Sequence, residues 1–346
     1  MRLDLGDVRT IVVGFVAAIV VLFAVAAVVG IDQVLGKLAM ADTRLVALVG
    51  VVALAWLASW AMALRTVLSA LGVSVSPVRA FMLYAGATFA NNITPFGQAG
   101  GEPFSALLIS RVTDAEYETG LAAIASVDSI NFVPSISFGL VGVVYYATVL
   151  AIGDRLQIEF VALAVVTLAL AVPLSATLLW RSRDRVEAGV ASAVVPVVGA
   201  LARAVPRITP TTHDAVRRRV RGFFRAIERV ASDRRSLLLA LLFSALGWLL
   251  SATSLWLSLY ALGVVVPFAA VLFVVPIVSM AGVTPLPGGL GGVEAALVFL
   301  LGPIAGISGA MAAAAAFIHR AATYWLPVAI GGVSTAMLEA DNANGD

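Results

Sequence analysis

Thr284-Pro285-Leu286-Pro287-Gly288-Gly289-Leu290-Gly291-Gly292-Val293-Glu294 interrupts a long apolar segment, and Thr94-Pro95-Phe96-Gly97-Gln98-Ala99-Gly100-Gly101-Glu102-Pro103 interrupts another. Each runs Thr-Pro, then glycine, a Gly-Gly pair and Glu. Proline and clustered glycine cannot continue a helix, so each stretch is a break. A broken helix at membrane depth exposes backbone groups that only protein or a wet cavity can satisfy. Two breaks at corresponding positions form the pattern of a transporter's binding site.

The echo extends outward. Ala70-Leu71-Gly72-Val73 recurs as Ala261-Leu262-Gly263-Val264, and Pro77 and Thr94 recur as Pro267 and Thr284. Ile130-Asn131-Phe132-Val133-Pro134 resembles Thr323-Tyr324-Trp325-Leu326-Pro327. The offset stays between 190 and 193 across all four anchors. Residues 70–139 and 261–332 therefore read as one duplicated unit, the heart of a first repeat over about 45–152 and a second over about 237–337.

Composition fixes the class. The chain is 61% hydrophobic and 12% charged, with a mean hydropathy of +1.03, whereas soluble domains carry about 25% charge. It is an all-α polytopic membrane protein. Cysteine is absent and only His213 and His319 are present, which excludes thiolate nucleophiles and zinc sites built on several His and Cys. No cofactor or metal is expected.

In chain order, full spans are expected at Thr10–Ile31, Leu45–Leu64, Thr119–Ile152, Phe160–Trp180, Leu237–Leu262 and Ile307–Met337, about six in all. The first is too long and uncharged for a cleavable signal. Asp32–Arg44 reads as a short polar connection, and the tail Glu339–Asp346 as disordered. The apolar pieces flanking each break are too short for an easy crossing, so 78–112 and 268–302 are expected to be re-entrant helix–break–helix hairpins.

Charge orients the chain. Segment 181–235 holds 13 of the 22 Lys and Arg and 5 of the 20 acids, a net charge of +8 that leaves −6 for the remainder. The positive-inside rule places it in the cytoplasm, with Arg2 and Arg9 keeping the N-terminus there. An even number of crossings before Arg181 then requires that 78–112 not cross. The two hairpins enter from opposite faces, so the repeats are inverted and their tips meet near the midplane. The tip residues are Pro95, Gly100, Gly101, Pro285, Gly288, Gly289, Gly291 and Gly292. The C-terminus is also cytoplasmic, in a multi-pass protein of the cell membrane.

Within the cytoplasmic segment, Val190–Val205 is an apolar stretch suited to lying on the membrane. Farther on, Val216, Val220, Phe223, Ile227 and Val230 recur at helical spacing, while Arg217, Arg218, Arg221, Arg225 and Arg229 occupy other faces. That is a basic amphipathic helix suited to anionic headgroups, or equally a solvated charge cluster that sets topology. Nucleic acid is not an expected partner, because the patch lies between membrane spans.

A charge at the centre of a membrane helix costs roughly 2.5–3.5 kcal/mol on insertion scales. Glu102, Asp128, Glu294 and Arg320 nevertheless fall in the apolar region, with Asn91, Thr94, Gln98, Asn131 and Tyr324 as polar neighbours. Glu102 and Glu294 each read as opening a short helix after a break, with Pro103 at the first helical position. Each either favours a positive helix N-terminus or lines a substrate site, and the free N–H groups there suit phosphate. Arg320 is either the ion-pair partner of Glu294 or Asp128, or a clamp for phosphate or carboxylate; both roles are compatible. Asn92 reads as satisfying broken-helix backbone, and His319 as a packed or hydrogen-bonded side chain. No nucleophile elbow, phosphate-binding Gly-Lys loop or His-Glu-x-x-His motif is present.

Asn92-Ile93-Thr94-Pro95 with Gly100-Gly101-Glu102, then Thr284-Pro285-Leu286-Pro287-Gly288-Gly289 with Gly291-Gly292 and Glu294, then Arg320 with Tyr324 and Pro327, resemble the flippase-like domain family, also called the lysylphosphatidylglycerol synthase transmembrane region family. The resemblance covers about residues 10–337. It implies handling of lipids, either aminoacyl-phospholipids or polyprenyl-phosphate sugars. The chain ends without the soluble aminoacyl-transferase domain of some relatives, which leaves the flippase-like part. Position 97 is not proline, so the first tip departs from the pattern.

The leading expectation is a transporter that moves an anionic or zwitterionic lipid, glycosylated or aminoacylated, between leaflets. One alternative is an intramembrane transferase of lipid-linked sugars or headgroups with Glu102 or Glu294 as base. Another is a noncatalytic partner of glycosylation or lipid-synthesis enzymes. Membrane lipids are the expected ligands in each.

Overall fold

A computed structural model describes residues 30–94, 98–149, 213–282 and 286–345, with isolated positions between 170 and 192. The spans expected at Thr10–Ile31 and Phe160–Trp180, Pro95 and Pro285 at the tips, and the apolar stretch Val190–Val205 lie outside the described residues, save for isolated positions. Every regular element among the described residues is helical. These are α1 (Ile31–Ala39), α2 (Thr43–Ala70), α3 (Pro77–Ile93), α4 (Gln98–Thr113), α5 (Tyr117–Val149), α6 (His213–Ser232), α7 (Arg234–Ala261) and α8 (Phe268–Met280). A 3-10 turn (Pro287–Gly289) follows, then α9 (Gly292–Ala305), α10 (Gly309–Arg320), a π-helical turn (Ala321–Trp325) and α11 (Leu326–Gly345).

Among the described residues, five segments are long and apolar enough to cross a membrane: Thr43–Ala70, Tyr117–Gly142, Arg234–Ala261, Pro287–Ala305 and Gly309–Asp341. The fourth qualifies only when counted through its glycines, because α9 alone has 14 residues. The helices beside the breaks have 17, 16, 13 and 14 residues. At 1.5 Å per residue they reach roughly 20–26 Å, short of a ~30 Å hydrocarbon core.

α2 and α7 form the centre. Both have 28 residues, and both begin at an aspartate N-cap, Asp42 and Asp233, that accepts from two backbone N–H groups of its first turn. They run antiparallel. The Asp42 N–H at the start of α2 donates to the Ala261 carbonyl at the end of α7 at 2.8 Å. Midway, Ser59 Oγ donates to the Phe243 carbonyl at 2.7 Å. Gly247 lets α7 close on the Trp60 indole, since a Cβ there would lie 2.6 Å from its Nε1. Without a hydrophobic drive between helices in lipid, such small-residue contacts and cross-helix hydrogen bonds hold the pair.

The helix before each break packs on the last long helix of the other half, and small residues open both contacts. Gly331 of α11 sits against α3, where a Cβ would come within 2.6 Å of the Phe89 Cβ. Gly142 of α5 sits against α8, where a Cβ would come within 2.7 Å of the Phe273 Cα. The exchange is reciprocal.

Two expectations change. Residues 32–44 are not merely a polar connection, because 31–39 form α1. Its Val34, 3% exposed, packs on Ala310, Ala313 and Ala314 of α10, with Asp32 in the first turn and Lys37 in the last favouring the helix dipole. The tail after Glu339 is not disordered: α11 continues through Gly345. The expected last span is present as one helical run, Gly309–Asp341, with the π turn between α10 and α11. The amphipathic α6 is present, and its Arg217, Arg221, Arg225 and Arg229 are exposed. Its apolar side packs on protein: Val230 is 2% exposed and belongs with Ala226 to the core cluster that includes Leu64, Leu68 and Ile124.

Candidate functional site

The second break is a built structure. Gly288, Gly289 and Gly291 adopt φ of 53°, 67° and 85°, values that side chains other than glycine's strain to reach. α9 then starts at Gly292, with Glu294 as its third residue. The Glu294 carboxylate turns back to accept the Gly291 N–H at 2.6 Å, satisfying one of the donors a helix start leaves open. Its other oxygen accepts from Arg320 Nε at 2.7 Å. Glu294 is 4% exposed. A charge this buried, in a segment this apolar, is retained only because it is paired and hydrogen-bonded.

Arg320 closes the α10 end of the site. Its Nη2 donates to the Gly288 carbonyl at 3.1 Å, and its guanidinium lies 4.5 Å from the Tyr324 ring centroid. Arg320 immediately precedes the π turn, a local widening frequent at functional sites. Tyr324, fully buried, donates its hydroxyl to the Asn92 carbonyl at 3.0 Å. Asn92 lies at the C-terminal end of α3, where carbonyls lack helical partners. The first and second breaks thus meet through Asn92, Gly288 and Tyr324; a Cβ on Gly288 would come within 3.1 Å of the Asn92 Cα. At Asn92 the residue's own carbonyl is a broken-helix group, and Tyr324 satisfies it.

The first break is built differently. α4 restarts at Gln98, so Gly100, Gly101 and Glu102 lie inside the helix rather than at its tip, and Pro103 is its sixth residue, not its first. Only Pro95 interrupts this stretch, whereas the second copy has Pro285 and Pro287, and a helix can resume after a single proline. Gly101 is used for close approach: a Cβ would lie 2.6 Å from the Asn91 Cα. The Asn91 Oδ1 is buried with no hydrogen-bond partner. Thr94 turns its hydroxyl back onto the Ala90 carbonyl at 2.8 Å.

The sequence-derived residues therefore fall into separate groups. Glu294, Arg320 and Tyr324 come together with Gly288 and Gly291. Glu102 and Asp128 lie within electrostatic range of one another in the first half, and Tyr84 of α3 is within range of Asp128. Asn131 stands apart, accepting from Ser244 Oγ of α7 at 2.8 Å. His319 is 7% exposed and hydrogen-bonded through Nδ1 to Ser254 Oγ at 2.9 Å, as a packed histidine. Tyr84 and Trp60, whose rings stack at 6.3 Å, were not among the sequence candidates. Nothing in the local pattern distinguishes them from packing aromatics.

A family model described as the lysylphosphatidylglycerol synthase TM region matches residues 11–331. Among similar proteins, a UPF0104 membrane protein of Methanothermobacter thermautotrophicus is 28% identical, over 93% of this chain and 92% of that protein. A second from the same organism is 25% identical, over 91% and 92%. One from Pyrococcus horikoshii is 22% identical, over 88% and 90%. These matches run through both breaks and the long helices that carry them, and the chain belongs to the lysylphosphatidylglycerol synthase TM region family as a multi-pass membrane protein.

Proposed function

We propose that this protein moves a lipid with an anionic headgroup between the leaflets of the cell membrane, and that the meeting point of the two breaks receives the headgroup phosphate. One observation carries the reading. A single carboxylate, that of Glu294, engages two anion-binding groups at once: the Arg320 guanidinium and the Gly291 N–H at the start of α9. It stands where phosphate oxygens would bond, since helix N-termini and guanidinium groups both suit phosphate. An arriving phosphate competes with Glu294 for Arg320. The displaced carboxylate is then available to an amine or a sugar hydroxyl of the same headgroup.

The lipid named in the family description, lysylphosphatidylglycerol, carries both a phosphate and an amine, and glycosylated polyprenyl phosphates share the phosphate. In this reading the four short helices form two hairpins entering from opposite faces. The basic segment 181–235 and both termini are cytoplasmic, and the exposed arginines of α6 meet anionic headgroups there.

The test is lipid translocation in vesicles containing the purified protein, followed with a headgroup-labelled phospholipid. A hydrogen bond to a charged group is worth roughly 1.5–3 kcal/mol, so Arg320→Ala should slow translocation by about tenfold or more. Glu294→Gln, which keeps shape and a hydrogen bond, should slow it less. Normal translocation by a folded Arg320→Ala protein, or its failure to fold, would assign the pair a structural role instead.

A further inference from the structure

The two halves place opposite chemistry at one equivalent point. α4 and α9 end at Thr113 and Ala305, and α5 and α10 begin at Tyr117 and Gly309; both steps are 192 residues. Glu102 and Glu294 keep that step, and so do Asp128 and Arg320. The step becomes 193 at Pro134 and Pro327. The π turn Ala321–Trp325 lies in that interval, and such a turn accommodates one inserted residue. The counterpart of Arg320 is therefore Asp128. Where the second half sets a guanidinium against its glutamate, the first sets another carboxylate.

Asp128 Oδ2 is buried with no hydrogen-bond partner. Glu102 of α4 and Tyr84 of α3 lie within its electrostatic range. Trp60, 6% exposed, stacks on Tyr84, and its indole N–H is also buried without a partner. Among the described residues, Glu102 is the charged neighbour of Asp128, and the other helices packed on α5 add no cation beside it. α8 has no ionisable side chain. α2 and α7 carry theirs toward their ends, at Arg44, Arg65, Arg234, Arg235 and Tyr260, and Arg65 donates to the Val75 carbonyl. α6 approaches the start of α5, with Gly222 beside Glu118. Its ionisable residues are His213, Asp214, Arg217, Arg218, Arg219, Arg221, Arg225, Glu228 and Arg229. Among the described residues, no group of three or more His, Cys, Asp or Glu side chains is arranged to hold a metal ion. Two carboxylates sharing an apolar site do not both ionise. A proton needs no further ligands.

We propose that Glu102 and Asp128 form a proton-binding site, in which a proton held by one of the two carboxyls takes the place that Arg320 fills in the other half. Glu102 is only half-buried, which gives the proton a route to and from the aqueous phase. The proton is carried by one of the two carboxyl groups, and its binding and release make and break only that O–H bond. Exchanging it changes the charge of the first half by one and supplies a means of coupling to a transmembrane proton gradient. That this coupling drives a lipid rests on the lipid-moving reading above; the site itself does not.

The site is tested by infrared spectroscopy of the full-length protein in lipid nanodiscs during a pH titration. The wild type should show a carboxylic-acid C=O band that shifts in heavy water, disappears as pH rises and is unaffected by Na⁺. Asp128→Asn and Glu102→Gln should each remove or move that band, while Glu294→Gln should leave it. Absence of the band, its persistence in both first-half variants, or its displacement by Na⁺ would overturn the proposal; the wild-type arm requires no variant to fold. In vesicles, an imposed pH gradient should accelerate lipid translocation by the wild type and not by Asp128→Asn. A band without any translocation removes the lipid reading and leaves the site standing, whereas translocation without a band does the reverse.

Discussion

The two breaks share a sequence signature and use it in different ways. In the second, the glycines supply backbone shape: Gly288, Gly289 and Gly291 all have positive φ, and Glu294, Arg320 and Tyr324 close around the turn they make. In the first, helix resumes at Gln98, and Gly101 supplies closeness, bringing α4 against Asn91. One break is held by an ion pair, while the other leaves two carboxylates and an amide oxygen without a cation among the described residues. Two stretches of like sequence thus agree in where a helix is interrupted more closely than in what the interruption does. One junction sets a guanidinium against its glutamate, and the other sets carboxylates alone among the described residues.

Replacing a glycine in each break should separate the two uses. Gly288→Ala forces a side chain into the left-handed region, at roughly 1–2 kcal/mol. Its methyl would also overlap the Tyr324 ring, and overpacking adds roughly 1–3 kcal/mol. Gly101→Ala meets only the second cost, against the Asn91 backbone. Thermal unfolding of the purified proteins should therefore rank Gly288→Ala well below Gly101→Ala, by a difference on the order of 1–2 kcal/mol. Equal losses would mean that positive φ is not the distinguishing use of glycine in the second break.

A smaller effect is expected where the breaks touch. Tyr324→Phe keeps the ring beneath Arg320 but strands the Asn92 carbonyl, and an unsatisfied buried acceptor costs roughly 1–3 kcal/mol. Asn131, the sequence counterpart of Tyr324, instead bonds Ser244 on α7. Ser244→Ala removes that bond without stranding a main-chain group, so its cost should be nearer 1 kcal/mol. A Tyr324→Phe protein as stable as the wild type would show that the tyrosine–carbonyl bond does not join the two halves.

Much of this arrangement is legible in the residues. The long uncharged apolar runs give helices, and Pro and Gly mark where they stop. The cost of charge in lipid singles out Glu102, Asp128, Glu294 and Arg320. The partner of Arg320 is not legible, because Glu294 and Asp128 are both plausible from spacing alone. The choice is made by the turn at Gly291, which folds the Glu294 carboxylate back onto the start of α9, a consequence of the positive φ at Gly288, Gly289 and Gly291. The drift of the repeat offset from 190 to 193 signals insertions without locating them; one coincides with the π turn directly after Arg320. α1 was missed because its apolar stripe is short, and its stability comes from docking on the alanines of α10 rather than from its own pattern.

The smallest effect should come from the one place where the halves are nearly the same. Asp42 and Asp233 cap α2 and α7 at equivalent positions. Asp42 accepts two backbone N–H groups at 2.8 and 3.4 Å. Asp233 accepts two at 3.1 and 3.2 Å and also the Ser236 hydroxyl at 2.6 Å. The Ser236 bonds, the hydroxyl's foremost, hold the Asp233 carboxyl below the usual aspartate range. A carboxyl lowered by folding stabilises the folded state above its unfolded value, near 3.9, and that contribution fades as pH falls through the lower folded value. Asp233→Ala should therefore lower the unfolding temperature slightly at neutral pH, and its difference from wild type should shrink as the solution is acidified below pH ~4. Asp42→Ala should show a milder loss at neutral pH, because the Asp42 N–H still ties the start of α2 to the Ala261 carbonyl when the side chain is gone. A loss for Asp233→Ala that persists undiminished into acid would locate its effect in helix propensity rather than in the ionised cap. The two helix starts would then be more alike than their hydrogen bonds indicate.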